Sequence, residues 1–276
     1  MSTPATWGWK RRLADGLGRL GLLRPAVAVY EGALTARWSL RRSPGAGAAG
    51  GDLPIPPARL RVRAGPAHAD VDYFLRSGER HAALIRQVLA EHGTPLDECS
   101  ALLDFGCGCG RVIRRWHDLA GTDIVGCDIN PKMIAWCTQN LPYGTFLLTE
   151  LDPPLPFDRD RFDVVYAFSV FTHLPEALQF AWIAEFGRVI RLGGLLVIST
   201  LGEHYAGLGR FTGPELEAFH QGELVVLYEG DPGSNLCSAY HPVSYVRDAL
   251  AVGFEHVALL PTADDASHDL HVLRRV

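Results

Sequence analysis

No stretch of this 276-residue sequence stays apolar for the ~20 residues that a membrane-crossing helix needs. An integral membrane role is not expected. The N-terminus also lacks a compact apolar core followed by a small-residue cleavage site, so the expected location is cytoplasmic. Basic charge is in deficit: 26 Lys and Arg stand against 31 Asp and Glu, a net charge of −5. A whole-domain nucleic-acid partner is therefore not expected, although a local basic patch remains compatible. Metal-ligand spacing is missing too. Cys99, Cys107, Cys109, Cys127, Cys137 and Cys237 do not fall at the two- to four-residue spacing of a zinc knuckle, and no His pair completes a set. Reduced thiols in a core, with no metal, are the expectation. There is no internal repeat.

What is present suits a soluble enzyme: 47% hydrophobic and 21% charged residues can fill a sizeable core. Residues 7–42 read as an amphipathic helix. Leu13, Leu17, Leu20, Leu23 and Val27 recur at helical spacing, Lys10, Arg11, Arg12, Arg19 and Arg24 lie between them, and Trp7 and Trp9 lead. Such a helix can lie on a membrane surface, or dock on the rest of the chain or on a partner. Residues 1–42 are read as an N-terminal extension and 43–66 as a linker, Pro/Gly/Ala-rich through 51 and extended across Leu53-Pro54-Ile55-Pro56-Pro57. Helical period returns over 70–92.

From residue 101 the pattern alternates. Strands are expected at 101–105, 123–128, 145–149, 162–168 and 195–200, with helices at 111–119, 130–140 and 175–190. Asn130-Pro131 is a good helix start, an N-cap followed by proline at the first helical position. Alternation implies a parallel sheet with right-handed crossovers. The end departs from it: a helix at 242–252, then strands at 254–260 and 269–273 with no helix between. That hairpin would place one antiparallel strand at the sheet edge.

The first strand runs into Asp104-Phe105-Gly106-Cys107-Gly108-Cys109-Gly110, and a helix is expected next. Alternating glycines let backbone approach a ligand closely, and a helix N-terminus offers free N–H groups. Asp128 follows at the end of the second strand, where a carboxylate can accept both hydroxyls of a ribose. Dinucleotide sites prefer Gly-x-Gly-x-x-Gly and room for a pyrophosphate. Here the spacing is Gly-x-Gly-x-Gly, and Asp104 would repel a pyrophosphate. An acid suits a nucleoside that carries an ammonium group and no phosphate, as S-adenosylmethionine does.

The runs LLDFGCGCGRVIRRW, VGCDINPKMIAWCTQNLP, PPLPFDRDRFDVVYAFSVFTHLPE and RVIRLGGLLVIST resemble a bacterial class I S-adenosylmethionine-dependent methyltransferase of the small-molecule type over residues 70–276. The resemblance implies an α/β, Rossmann-like, seven-stranded and mostly parallel sheet with an antiparallel last strand, in a domain spanning 67–276. It implies that Asp104, Gly106, Cys107, Gly108 and Gly110 hold the methionine part of the cofactor. Asp128 would hold the ribose, Ile129 and Met133 the adenine face, and Thr149, Glu150 and Leu151 the adenine edge. Phe168 and Ser169 would lie beside the methionine chain, and Tyr73 and Gly78 would close over it.

His173 and His241 are the catalytic candidates. His173 follows the fourth strand at the ligand-binding edge, where it serves either as a base or as an anchor for its loop. His241 either touches substrate or starts a helix. Glu203, His204, Tyr205, Asn235 and Tyr240 are the substrate-side candidates. The expected reaction is methyl transfer to a small molecule, at a hydroxyl of a sugar or natural product. N- or C-methylation on the same scaffold, a non-catalytic cofactor-binding subunit and a membrane-associated assembly factor are the alternatives. A homodimer is left open.

Overall fold

The computed structural model describes residues 4–39, 53–208, 211–262 and 268–276, with the side chains of residues 4–10 and 39 outside that description. In chain order come helices α1 (Pro4–Arg19), α2 (Leu23–Ser39), α3 (Ala58–Arg61) and α4 (Val71–Glu91). Strands β1 (Ala101–Phe105) and β2 (Asp123–Asp128), helix α5 (Pro131–Asn140), and strands β3 (Thr145–Leu148) and β4 (Phe162–Ala167) follow. Next are α6 (Glu176–Val189), β5 (Ile190–Thr200), α7 (Glu203–Ala206) and α8 (Gly213–His220). The chain ends with β6 (Val225–Leu227), β7 (Ser238–Tyr240), α9 (Val243–Tyr245), β8 (Phe254–Leu260) and β9 (Asp269–Arg275).

Seven strands form one sheet in the order β3-β2-β1-β4-β5-β9-β8. All pairings from β3 to β5 are parallel, and β9 is antiparallel to both neighbours. The antiparallel strand thus sits one place in from the edge, which β8 occupies. β6 and β7 pair separately as a small antiparallel ribbon that no sequence pattern announced.

β1 and β4 are buried along their whole length, as expected for central strands covered on both faces. Alternate residues go to opposite layers. Leu103, Phe105, Val165, Leu196 and Ile198 pack against Trp182, Ile183 and Phe186 of α6. Leu102, Val164, Tyr166, Leu195 and Val197 pack against Ile85, Val88 and Leu89 of α4 and against Trp116. Burying one such side chain stabilises by roughly 1.5–3 kcal/mol. The same alternation puts Asp104 on the α4 side of the sheet, in line with Leu102.

Several expectations change in detail. The 7–42 helix is two helices. Gly21 is left-handed (φ 69°), its N–H donates to the Gly18 carbonyl at 3.0 Å, and Leu22 N–H donates to the Leu17 carbonyl at 2.8 Å. That pair of bonds closes α1 and turns the chain, which helical periodicity alone does not signal. The linker expected at 43–51 lies outside the described residues. Residues 58–69 are folded rather than linking: Leu60 and Val62 are buried, and the Arg61 guanidinium donates to the carbonyls of Pro56, His68 and Ala69. The helix expected at 111–119 is a run of turns with a single 3-10 turn at Ile113–Trp116. β5 starts at Ile190 and carries Gly193 and Gly194 inside it, where pairing with β4 shifts register. The helix expected at 242–252 is a short α turn that widens into a π turn at Val246–Leu250.

The interior holds unusually placed histidines. His241 and His271 are fully buried, and burial pushes each imidazole down to about 3. His271 lies between Thr200 Oγ1 at 3.1 Å and His256 Nε2 at 2.9 Å. Below pH ~6.5 the unfolded chain takes up protons that these folded groups refuse. Stability therefore falls as pH drops from ~6.5 toward 3, by up to about 1.4 kcal/mol per pH unit for each group. Calorimetric melting should show Tm dropping by roughly 5–10 °C per unit in that window. A Tm that stays level from pH 7 to 5 would show that these rings are not buried as neutral groups.

Candidate active site

The ends of β1, β2 and β4 converge on one cavity of about 650 Å³. After β1 the backbone turns through Gly106, Gly108 and Gly110, all left-handed, with φ of 76°, 56° and 79°. The three glycines do different work. A Cβ at Gly106 would overlap Val170, and one at Gly110 would lie 2.6 Å from Leu141 Cδ1. At Gly108 the nearest atom would be Met133 Sδ at 3.8 Å, so this glycine alone of the three faces open space.

Asp128 ties the loop to β2. Its Oδ2 accepts the Gly108 N–H at 2.9 Å, and its Oδ1 accepts the Asn130 N–H at 2.8 Å. Asn130 in turn caps α5, accepting from Lys132 N–H at 3.0 Å and Met133 N–H at 3.4 Å. Each carboxylate oxygen keeps acceptor capacity toward the cavity. Burial raises the Asp128 pKa, against the two N–H bonds. Asp104 is 3% exposed, and burial pushes its carboxyl up to about 7, against the pull of the Tyr166 hydroxyl and the Arg111 guanidinium.

The cavity wall brings together Asp104, Gly106, Cys107, Gly108, Asp128, Ile129, Met133, Thr149, Glu150, Leu151, Phe168, Ser169, His173 and Asn235. Ser169 is itself left-handed (φ 62°), a costly conformation for a residue with a side chain, and its N–H donates to Ser199 Oγ at 2.7 Å.

Other expected residues lie elsewhere. Gly110 points into the packing of α5. Gly78 lets α4 cross against the Arg111 carbonyl, which a Cβ there would overlap, and the Tyr73 ring packs on His68 at 5.1 Å. Glu203, His204 and Tyr205 form α7 away from the cavity, and the buried Tyr205 ring meets His268 edge-on at 5.8 Å. Tyr240 is buried in a separate cluster with Phe211, 4.7 Å away, and Phe219. Apolar packing claims these aromatic rings.

The two histidine candidates part company. His173 Nδ1 donates to the Cys237 carbonyl at 2.7 Å. That bond fixes the neutral tautomer and leaves the Nε2 lone pair without a hydrogen-bond partner among the described residues. Burial holds the His173 pKa below its usual 6.5. His241 is fully enclosed instead and does not reach the cavity. Its Nε2 donates to Gln179 Oε1 at 2.9 Å, and the Gln179 amide donates to the carbonyls of Leu174 at 2.8 Å and Phe171 at 3.4 Å. His241 therefore braces the turn that carries His173 from outside the cavity lining.

Arg111 was not anticipated. It follows the last loop glycine and lines the cavity, 5.3 Å over the Phe168 ring, and its Nη1 donates to His81 Nδ1 at 2.5 Å. Burial pulls the guanidinium down to about 10, and the nearby Asp104 charge holds it up. Its place directly after Gly110 was the available signal. Also unanticipated are Arg24, Val27, Ala28 and Glu31 of α2, which roof the cavity.

Residues 102–194 match the family described as "Methyltransferase domain". A ubiquinone biosynthesis O-methyltransferase from Bradyrhizobium sp. (strain ORS 278) is 31% identical over 111 residues, 38% of this chain and 41% of that protein. A 2-methyl-6-phytyl-1,4-hydroquinone methyltransferase from Synechocystis sp. (strain ATCC 27184 / PCC 6803 / Kazusa) is 30% identical over 102 residues, 36% of this chain and 31% of that protein. Each match spans less than half of the relative's length. The fold also resembles magnesium protoporphyrin IX methyltransferase from Synechocystis PCC 6803, solved with SAH bound. That likeness has a TM-score of 0.53 at 17% identity and covers 83% of this chain and 91% of that one.

Proposed function

We propose that this chain, which carries a class I methyltransferase domain with its family match at residues 102–194, transfers the methyl group of S-adenosylmethionine to an oxygen of a small-molecule acceptor. The observation that carries the reading is Asp128. It stands at the end of β2, bonded to the loop glycine where a side chain would meet open space, with acceptor capacity left for a ribose.

The rest of the wall fits the same donor. Asp104 and Arg111 both line the cavity and lie close enough to shift each other's pKa, the guanidinium pulling the Asp104 carboxyl down against burial and the carboxylate holding the Arg111 charge up. An acid and a guanidinium on one wall complement the ammonium and carboxylate of an amino acid. Ile129, Met133 and Leu151 offer apolar surface to an adenine. When bound, S-adenosylmethionine supplies an electrophilic methyl group on a positively charged sulfur. What remains for the chain is to align the acceptor and exclude water.

Oxygen is favoured because a hydroxyl must lose a proton as it attacks, and His173 is built to take one at Nε2. Its other nitrogen is occupied by Cys237, and its lowered pKa keeps it neutral at pH 7. The Bradyrhizobium relative, named as an O-methyltransferase, supports the same choice.

Calorimetric titration tests the reading. Wild type should bind S-adenosylhomocysteine and not NAD. Asp128→Ala should bind it more weakly by about 1–3 kcal/mol, the size of a lost charge-assisted hydrogen-bonded pair. Equal affinity in the two proteins would remove Asp128 from the donor site and the reading with it.

A further inference from the structure

Helix α2 has few charges and two apolar sides. Its inner side, with Val27 and Ala28, roofs the cavity, and Arg24 reaches down to an ion pair with Asp231. Its outer side carries Val29 and Tyr30, which are 74% and 53% exposed, followed by the exposed Ala33 and Ala36, and Leu22 in the turn just before the helix is 49% exposed. Arg24, Glu31 and Arg37 are the ionisable residues of the helix besides Tyr30. A helix apolar on both sides belongs between two apolar layers, and only the inner layer is supplied by the described residues.

α1 extends the same surface. It is held by its inner side: Arg11 pairs with Glu215 at 2.9 Å, and Asp15 Oδ1 accepts from the Tyr228 hydroxyl at 2.8 Å. Leu13 and Leu20 face outward at 55% and 72% exposure, next to the exposed Arg12 and Arg19. Exposed large apolar side chains elsewhere, such as Phe180, Leu192 and Val252, stand on separate elements.

Charge is segregated in the same way. Residues 1–42 hold eight Lys and Arg against two Asp and Glu, whereas the other residues hold 18 against 29. Among the described residues, Arg12, Arg19 and Arg37 are exposed beside the apolar face, whereas Arg11 and Arg24 pair with Glu215 and Asp231. A second copy seated on it about a two-fold axis would set basic rim against basic rim. An anionic lipid surface matches both features, apolar contact and positive rim. None of the described helices is long and apolar enough to cross a membrane, so the contact is one of lying on the surface.

We propose that the outer face of α1 and α2 docks this protein on an anionic lipid bilayer, with the roof of the cavity turned toward the membrane. The proposal does not depend on which acceptor is methylated.

Vesicle flotation of the full chain tests it, with phosphatidylglycerol/phosphatidylcholine vesicles compared with phosphatidylcholine alone. Wild type should float with the anionic vesicles at least ~10-fold more than with the neutral ones, with the difference shrinking in high salt. Leu20→Glu/Val29→Glu should lose that flotation while its calorimetric affinity for S-adenosylhomocysteine stays at the wild-type value, which shows that fold and cavity survive. Absence of wild-type flotation, or equal flotation of wild type and variant, overturns the proposal. So does sedimentation showing a wild-type dimer that the variant loses without any lipid binding, because the occupant is then a second copy.

Discussion

His173→Ala should slow methyl transfer by ~100-fold or more while leaving the affinity for S-adenosylhomocysteine unchanged. The side chain lines the cavity beside the donor-site residues, and its loss removes a proton acceptor without touching Asp128 or Asp104. The pH dependence separates this role from a structural one. Burial lowers the His173 pKa below 6.5, so the ring is neutral at pH 7 and gains its proton only on the acid side. For wild type, kcat should hold level near neutrality and fall as pH drops through that lowered pKa; the variant should lack this limb. Near-normal turnover in His173→Ala would leave the residue as an anchor for the Cys237 carbonyl and nothing more.

Gly108→Val should abolish detectable binding of S-adenosylhomocysteine while a folded protein survives. A β-branched residue at φ 56° is strained, at a cost of roughly 1–2 kcal/mol, and should lower Tm by a few degrees. The new Cβ makes only an ordinary contact with the core, 3.8 Å from Met133 Sδ. It projects into the cavity beside the carboxylate of Asp128. Gly110→Val offers the contrast. There the Cβ would press on Leu141 at 2.6 Å, so folding should fail before binding can be measured. Retained ligand affinity in Gly108→Val would mean that the ligand does not pass over this loop.

The parallel sheet was legible because its strands are short apolar runs with helical segments between them, and because Asn130-Pro131 and the alternating glycines mark chain turns by local chemistry alone. Asp104 and Asp128 could be placed for the same reason, since each sits at the end of a strand whose direction is known. Residues whose meaning depends on distant packing were not legible. His241 and Tyr240 look like pocket residues in a polar, loop-like stretch, yet the bracing of Gln179 and the packing of Phe211 enclose them. Arg111 looks like one arginine among several, and only the crossing of α4 beside it shows where its charge goes. The 7–42 segment read as one helix because a left-handed glycine inside an unbroken period of leucines leaves little trace in spacing. Its roofing role could not be read either, since it depends on Asp231 and Glu215, some two hundred residues away.

The stretch between β6 and β7 links separate parts of the cavity. Asp231 holds α2, Asn235 Nδ2 donates to the Arg63 carbonyl at 3.0 Å, and Gly233 N–H donates to the His173 carbonyl at 2.8 Å. At its end, the Cys237 carbonyl accepts from the His173 ring. Roof, side wall and imidazole thus hang from about ten residues that contain no helix or strand. The position of the roof and the aim of the imidazole are thereby set by one backbone segment, so a substitution in that segment that shifts one should shift the other.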